Sequence, residues 1–245
     1  MKLISSAQNP IFGELKKLLT SKGIHKQNKF LIWGEKFVGE MLRDSPASVD
    51  TFILGPGHGV LSGAPSTLEL SSDLFAELDI FGTKTPFLVC KVPLLNELKS
   101  RTPIGLELLV AVSEPSNLGA IIRSAASFGV NKIILLKESA SPFHPRSVRA
   151  SAGNILKMTY ETGPSIEDLS PELLDQSLAL DMNGENLSAF QWPKNSFLLV
   201  GEEGRGIPKQ MKIRKIAIEA EANIESLNAA TAISIAMYSH YTQSR

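Results

Sequence analysis

The sequence predicts an α/β protein of two tandem domains, and three observations carry that prediction. Short apolar runs alternate with stretches of helical spacing along nearly the whole chain. A polar, proline-containing stretch, Asn96-Glu97-Leu98-Lys99-Ser100-Arg101-Thr102-Pro103, interrupts the alternation. After it the alternation restarts with stronger apolar runs, which divides the chain into domains at 1–97 and 104–245. With 245 residues, 43% hydrophobic and 20% charged, the composition is that of a globular protein with a substantial core.

In the first domain, Asn9 is a natural helix cap and Pro10 suits the first helical position. Ile11, Leu15, Leu18 and Leu19 follow at helical spacing. Lys16, Lys17, Lys22, Lys26 and Lys29 crowd the same segment, and residues 1–45 hold eight Lys/Arg against four acids. Such a run serves either as a solvated helix face or as a phosphate-contacting face. Phe30-Leu31-Ile32-Trp33 reads as a short strand, and 35–42 as a helix with Phe37, Val38, Met41 and Leu42 inward. Residues 51–55 and 86–92 read as strands and 74–78 as a short helix, while 56–65 is a glycine-rich loop without a phosphate-cradling pattern.

The second domain opens on the apolar run 106–112, a buried strand, followed by Pro115-Ser116-Asn117-Leu118-Gly119-Ala120-Ile121-Ile122-Arg123. Ser116 or Asn117 is expected to cap a helix over 117–128 whose inward stripe is Leu118, Ile121, Ile122, Ala125 and Phe128. Gly129 suits the left-handed position at its end. Arg123 stands one position off the stripe, and is expected near the loop where the strand ends. Further strands are predicted at 131–136, 155–160, 177–182, 197–200 and 215–218. The segment 141–153 carries proline-initiated helix chemistry with Arg146 and Arg149, and an apolar helix is predicted over 229–241.

Several function classes drop out on composition. Lys+Arg and Asp+Glu are both 25, so there is no global nucleic-acid signature, although a basic patch can be local. One cysteine, Cys90, excludes an internal disulfide and a multi-cysteine metal site. The four histidines show no ligand spacing, and no metal is expected. No apolar run reaches the roughly 18 residues of a membrane span, and the N-terminus lacks a signal-peptide core, so no membrane association and a cytoplasmic location are expected.

Three turns follow predicted strands: 117–123, 201–206 and 226–228. That is where open α/β sheets bind ligands. The glycine loop Gly201-Glu202-Glu203-Gly204-Arg205-Gly206 is neither a P-loop nor a dinucleotide fingerprint, and its two glutamates would repel a pyrophosphate. A ligand with a sulfonium or amino group suits it better than a triphosphate. A dehydrogenase-type nucleotide site fails on the missing glycine fingerprint.

Together these turns resemble the three ordered motifs of SpoU-type RNA ribose 2′-O-methyltransferases in the SPOUT superfamily. The first is Asn117-x-Gly119-x-x-x-Arg123, the second Leu199-Val200-Gly201-x-Glu203-Gly204-x-Gly206, and the third Glu225-Ser226-Leu227-Asn228. Arg149-Ala150-Ser151-Ala152-Gly153 is also similar to a family segment. The family usually has Ile-Pro-Met where Ile218-Glu219-Ala220 stands here, and a glycine in place of Ala222. Residues 4–34 look like the ribosomal-protein-like substrate-binding domain attached to many members, so the resemblance covers nearly the whole chain.

The resemblance implies a knotted C-terminal α/β methyltransferase domain, a trefoil through which the apolar last helix is threaded. It also implies a homodimer formed through that domain, and a smaller N-terminal α/β domain for RNA. S-adenosyl-L-methionine would be the cofactor, cradled at Leu199, Gly201, Gly206, Ile218, Leu227 and Asn228. Arg123 would be the catalytic arginine, with Asn117, Glu203, Ser226 and Asn228 completing the site. Lys16, Lys17, Lys26, Arg146 and Arg149 are the candidate contacts to ribosomal or transfer RNA. A non-catalytic RNA-binding relative on the same scaffold is the alternative that the departures at Glu219, Ala220 and Ala222 leave open. Asn117, Arg123, Glu203, Ser226 and Asn228, all present, argue against it.

Overall fold

The computed structural model describes residues 2–59, 66–201, 206–221 and 227–245. The chain divides into two compact units, Met1–Leu94 with Phe143–Arg149, and Leu95–Pro142 with Ala150–Arg245. The segment 143–149, which the sequence assigns to the second domain, belongs to the first unit.

Elements of the first unit run β1 (Lys2–Ile4), α1 (Pro10–Lys17), α2 (Ser21–Gln27), β2 (Lys29–Ile32), α3 (Glu35–Asp44), β3 (Val49–Leu54), β4 (Thr67–Leu70), α4 (Ser72–Leu78) and β5 (Phe87–Lys91). Asn9 caps α1 as expected, its side-chain oxygen accepting from the Ile11 N–H at 2.9 Å. The helix α2 is absent from the sequence reading because only Gly23 and Ile24 of its seven residues are buried, too few for a stripe. The strands β1 and β4, three and four residues long, escape for the same reason. The sheet order is β1-β4-β3-β5-β2, parallel from β1 to β3 and antiparallel where β5 meets β3 and β2. Phe12, Leu18, Trp33, Ile53, Phe75 and Phe87 are among the side chains packed into its core. Cys90 lies in that sheet, and burial pushes its thiol up to about 12, which leaves no thiolate nucleophile.

Further along the chain come β6 (Asn96–Glu97), β7 (Leu106–Val110), α5 (Pro115–Ser127), β8 (Lys132–Leu135), α6 (Pro145–Ala150), β9 (Thr159–Thr162), α7 (Pro171–Leu174), β10 (Ser177–Asn186), β11 (Ser196–Val200), β12 (Arg214–Ala217) and α8 (Ala229–Gln243). The second sheet runs β12-β10-β11-β7-β8-β9-β6, and among the described residues every pairing in it is parallel. Strands covered on both faces must be apolar throughout, and β7 and β11 are buried at every position.

Two expectations change here. The polar stretch read as pure linker contributes β6, which pairs with β9 through Asn96↔Glu161 and Glu97↔Thr162. The strand expected at 155–160 is displaced by a 3-10 turn, Asn154–Lys157, before β9 begins. Ala152 and Gly153 both have positive φ, 50° and 82°, and the Asn154 side-chain amide donates to the Ser151 carbonyl at 3.0 Å, so the chain turns where its composition suggests extension.

The exception inside β7 is Glu107, whose side chain is only 2% exposed. Arg101 from the polar stretch folds back to hold it bidentately at 2.9 and 2.6 Å, and the Ile104 N–H donates to it at 3.0 Å. The same guanidinium reaches Glu161 at 3.0 Å, and Lys132 closes the cluster on Glu161 at 2.5 Å. A buried carboxylate is tolerated only when so paired.

Candidate active site

Parallel pairing brings the carboxyl ends of β7, β11, β10 and β12 to one edge of the second sheet, and the three turns of interest leave from β7, β11 and β12 there. The helix α5 begins earlier than expected, at Pro115, and its cap is Glu114, whose carboxylate accepts from the Ser116 N–H at 3.2 Å. Proline at the first helical position preceded by an acidic cap is the signal that could have shown this. Gly129 closes the helix with φ 69°, as expected.

The earlier start moves Arg123. It is the ninth residue of α5, so it stands about 12 Å along the axis from the first residue, not beside the strand end. It lies six positions on from Asn117, which sets the two roughly 120° apart around the helix. Arg123 is exposed, and its guanidinium has no hydrogen-bond or ion-pair partner among the described residues.

Asn117 and Asn228, 111 residues apart, are brought together. The Asn228 side-chain amide donates to the Asn117 side-chain oxygen at 3.3 Å. The oxygen of Asn228 caps α8, accepting from the Ala230 and Thr231 N–H groups at 2.9 and 3.3 Å. One asparagine thus fixes the start of α8 and ties it to α5. Further along, the Ser234 and Ser124 hydroxyls hydrogen-bond at 2.8 Å, a second tie that sequence reasoning missed because serines in an apolar stripe carry no signal. Between these ties lies a groove of about 560 Å³, whose lining includes Asn117, Ala120, Phe128, Asn228, Ile235 and Tyr238.

At the end of β11, Leu199 is fully buried in the core, so only its backbone could meet a ligand. Gly201 and Gly206 close the following loop tightly. A Cβ on Gly201 would lie 2.6 Å from the Gly206 carbonyl oxygen, and Gly206 has φ 65°. Both glycines are therefore demanded by geometry. Ile218 is half-buried, and Leu227 is exposed beside Asn228. Glu203 and Ser226, the other expected site residues, lie outside the described residues.

The candidate RNA contacts fall in the first unit, and several are already engaged. Lys16 pairs with Glu77, and Lys17 with Glu14 at 2.6 Å. The Arg149 guanidinium lies 4.6 Å from the centroid of the Phe81 ring. Arg146 is exposed on α6. Lys26 is exposed, without a hydrogen-bond or ion-pair partner among the described residues. Among the described residues no group of three His, Cys, Asp or Glu could hold a metal ion, and no helix is long and apolar enough to cross a membrane.

Comparison with known proteins gives a consistent picture. A model of the SpoU rRNA Methylase family matches residues 107–238. The chain is 42% identical over 245 residues to a protein of Syntrophobacter fumaroxidans named ribosomal RNA small subunit methyltransferase G 2. That alignment takes in 96% of this chain but 48% of the relative, so the chain spans about half of that relative's length. It is 29% identical to the 23S rRNA (guanosine(2553)-2'-O)-methyltransferase RlmP of Bacillus subtilis, over 97% of this chain and 98% of that one. Among solved structures, an AdoMet-bound rRNA methyltransferase from Sinorhizobium meliloti superimposes with a TM-score of 0.80 at 22% identity, covering 98% and 97% of the two chains.

Proposed function

The chain belongs to the SpoU rRNA Methylase family, and from that premise we propose that it transfers a methyl group from S-adenosyl-L-methionine to a ribose 2′-hydroxyl of ribosomal or transfer RNA. The observation that carries the proposal is the Asn117–Asn228 contact, which joins the first and third motif turns at the carboxyl edge of a parallel sheet. The residues at that edge suit the cofactor. Leu227 and Ile218 offer apolar surface for a purine, and Gly201 and Gly206 themselves present backbone without side chains. Leu199, Gly201, Gly206, Ile218, Leu227 and Asn228 would hold it. When bound, it supplies a methyl group already activated on sulfur.

What remains for the chain's own residues is to place the ribose oxygen and ease the loss of its proton. Positioning is worth up to about 7–11 kcal/mol in favourable cases. A guanidinium does not give up its proton at ordinary pH, so Arg123 is not the base. Its exposed donors, unpartnered among the described residues, suit the phosphate next to the target ribose and the oxyanion that develops on the 2′-oxygen. Asn117 and Asn228, with Glu203 and Ser226, orient that oxygen.

Dimerisation through the second unit is part of the same reading. The outward face of α8 carries Ile235 and Tyr238, 39% and 55% exposed, with Leu227 near its start. Phe128, at the end of α5, meets the Tyr238 ring edge-on and the Tyr241 ring at a tilt. A soluble helix with apolar residues on its exposed side is a candidate for burial against a second copy. The family's threaded trefoil gives the reason that the inward side, with Ala230, Ile233, Ala236 and Met237, is also apolar. A cytoplasmic location suits work on ribosomal or transfer RNA.

Calorimetric titration with S-adenosyl-L-methionine tests the site. Wild type is expected to bind, Asn228→Ala to lose binding, and Arg123→Ala to keep it while methyl transfer falls by about 10²–10³-fold. Full transfer activity in Arg123→Ala with unchanged RNA affinity would remove the arginine from its role. No cofactor binding by the wild type, with or without RNA, would favour the non-catalytic alternative.

A further inference from the structure

We infer that the first unit grips the RNA phosphate backbone with one basic ribbon, made of the outer face of α2 and the adjoining edge of the sheet. Lys22, Lys26 and Lys91 are its cations, and Lys29 stands among them paired with Asp50. The inference rests on the RNA-substrate reading and names the surface that serves it. On α2, Lys22, His25 and Lys26 stand at i, i+3 and i+4, which places them on one helix face, and all three are exposed. None of the three has a hydrogen-bond or ion-pair partner among the described residues.

The ribbon continues without a break in the chain. Two residues beyond Lys26, Asn28 ends α2 in the left-handed conformation (φ 53°), and β2 begins at Lys29. The strand β2 is an edge of its sheet, and Lys29 lies directly opposite Lys91 of β5. Carboxylates on this side are outnumbered. Glu14 is hydrogen-bonded by Lys17 and lies within the field of Lys26 as well. Asp50 is hydrogen-bonded by Lys29 and lies within the field of Lys91. The far side of the same sheet is mixed in sign, with Glu69 on β4 and Asp73 and Glu77 on α4 against Lys2 on β1. Lys16 is drawn to that side by Glu77, which removes it from the ribbon.

The face is also held rigidly, as a polymer-tracking surface must be. A Cβ on Gly23 would lie 1.9 Å from the Lys17 carbonyl oxygen, so α2 meets the end of α1 with no space between them. The Gln27 side-chain amide donates to the Glu14 carbonyl at 2.9 Å and pins the far end. A row of ammonium groups on a fixed helix and strand edge suits a chain of phosphates, each contact releasing a counterion.

The test uses the full chain and a fluorescein-labelled RNA stem-loop, with anisotropy measured as a function of salt. Replacing Lys22 and Lys26 together by Gln is expected to weaken binding and to lower the slope of log affinity against log salt by about two. Lys91→Gln is expected to lower it by about one more, while Lys16→Gln leaves it unchanged. In transfer assays the double variant raises KM for RNA and leaves kcat and cofactor affinity as they were. Wild-type slope in the double variant overturns the inference, and so does an equal loss in Lys16→Gln, which would indicate net charge rather than this face. A wild type that binds RNA with the expected slope but transfers no methyl group counts against the enzymatic reading and leaves the ribbon standing.

Discussion

The two units handle charge in opposite ways. In the first, the lysines sit on the outside of helices and a sheet edge, in solvent-facing ion pairs or, among the described residues, without a partner. In the second, charge is drawn into the sheet, where Arg101, Lys132, Glu107 and Glu161 interlock and Glu107 is almost wholly buried. The backbone does not divide this way: a methyl group finds no room at Gly201 in the second unit or at Gly23 in the first, while at Gly13 in α1 it meets nothing. A mixed sheet can leave polar residues at its surface; an all-parallel sheet covered on both faces must satisfy them internally. The lesson is that charge substitutions in the first unit should alter what the protein binds, and in the second whether it folds.

The sharpest way to break that contrast is Arg101→Ala. Removing the guanidinium leaves Glu107 buried with one backbone N–H as its remaining donor, and breaking such a pair costs about 3–5 kcal/mol. Thermal unfolding should show the second unit melting far earlier, while cofactor-independent RNA affinity at low temperature is unchanged. An unaltered melting curve would mean that the cluster is solvated after all. The same cluster predicts an acid limb. Burial pushes the Glu161 carboxyl up, but hydrogen bonds from Lys132 and Arg101 outweigh it and hold the group below its ordinary value of 4.5. A carboxylate depressed in the folded state contributes stability above its unfolded value, and that contribution is lost as pH falls through the folded one. Melting temperature should therefore decline below about pH 4.5, and Glu161→Gln should flatten the decline while lowering the plateau.

Gly201→Ala probes the second unit at the level of backbone. The added methyl would collide with the Gly206 carbonyl oxygen at 2.6 Å and with its carbon at 2.7 Å, backbone atoms that cannot swing aside. Forcing the loop open should cost about 1–3 kcal/mol and abolish cofactor binding measured by calorimetry. Retained binding would show that the loop has slack and that the glycine is incidental.

Much of this was legible because it is local. The strand at 106–112, the stripe Leu118, Ile121, Ile122 and Ala125, and the Asn9-Pro10 start of α1 are each encoded within a few consecutive residues. The three motif turns are legible for the same reason, and in order they carry the family. What was not legible depends on partners far along the chain. Arg101 reads as a linker residue until Glu161, 60 residues on, comes beside it. Lys16 and Lys22 look alike in sequence, but the position of Glu77 on α4 engages the first, while the second has no partner among the described residues. The Asn228 tie to Asn117 spans 111 residues, so the motifs announce both asparagines but not their contact. Short elements such as α2 and β1 bury too few residues to show a period at all.

The smallest expected effect probes a permissive position in the first unit. Gly13 lies inside α1, between the buried Phe12 and Leu15, and an added Cβ would meet nothing within 4 Å. Its φ is not in the left-handed range, so alanine adopts the same backbone without strain. Glycine in a helix interior costs about 0.5–1 kcal/mol relative to alanine through the freedom it loses on folding. Gly13→Ala should therefore stabilise the first unit by that amount, visible as a small rise in its unfolding midpoint in urea with an unchanged slope. The neighbouring helix supplies the control: at Gly23 the same methyl would sit 1.9 Å from the Lys17 carbonyl oxygen, so Gly23→Ala should destabilise the unit and displace α2. A loss of stability in Gly13→Ala would mean that the added methyl does meet a neighbour on that side of α1.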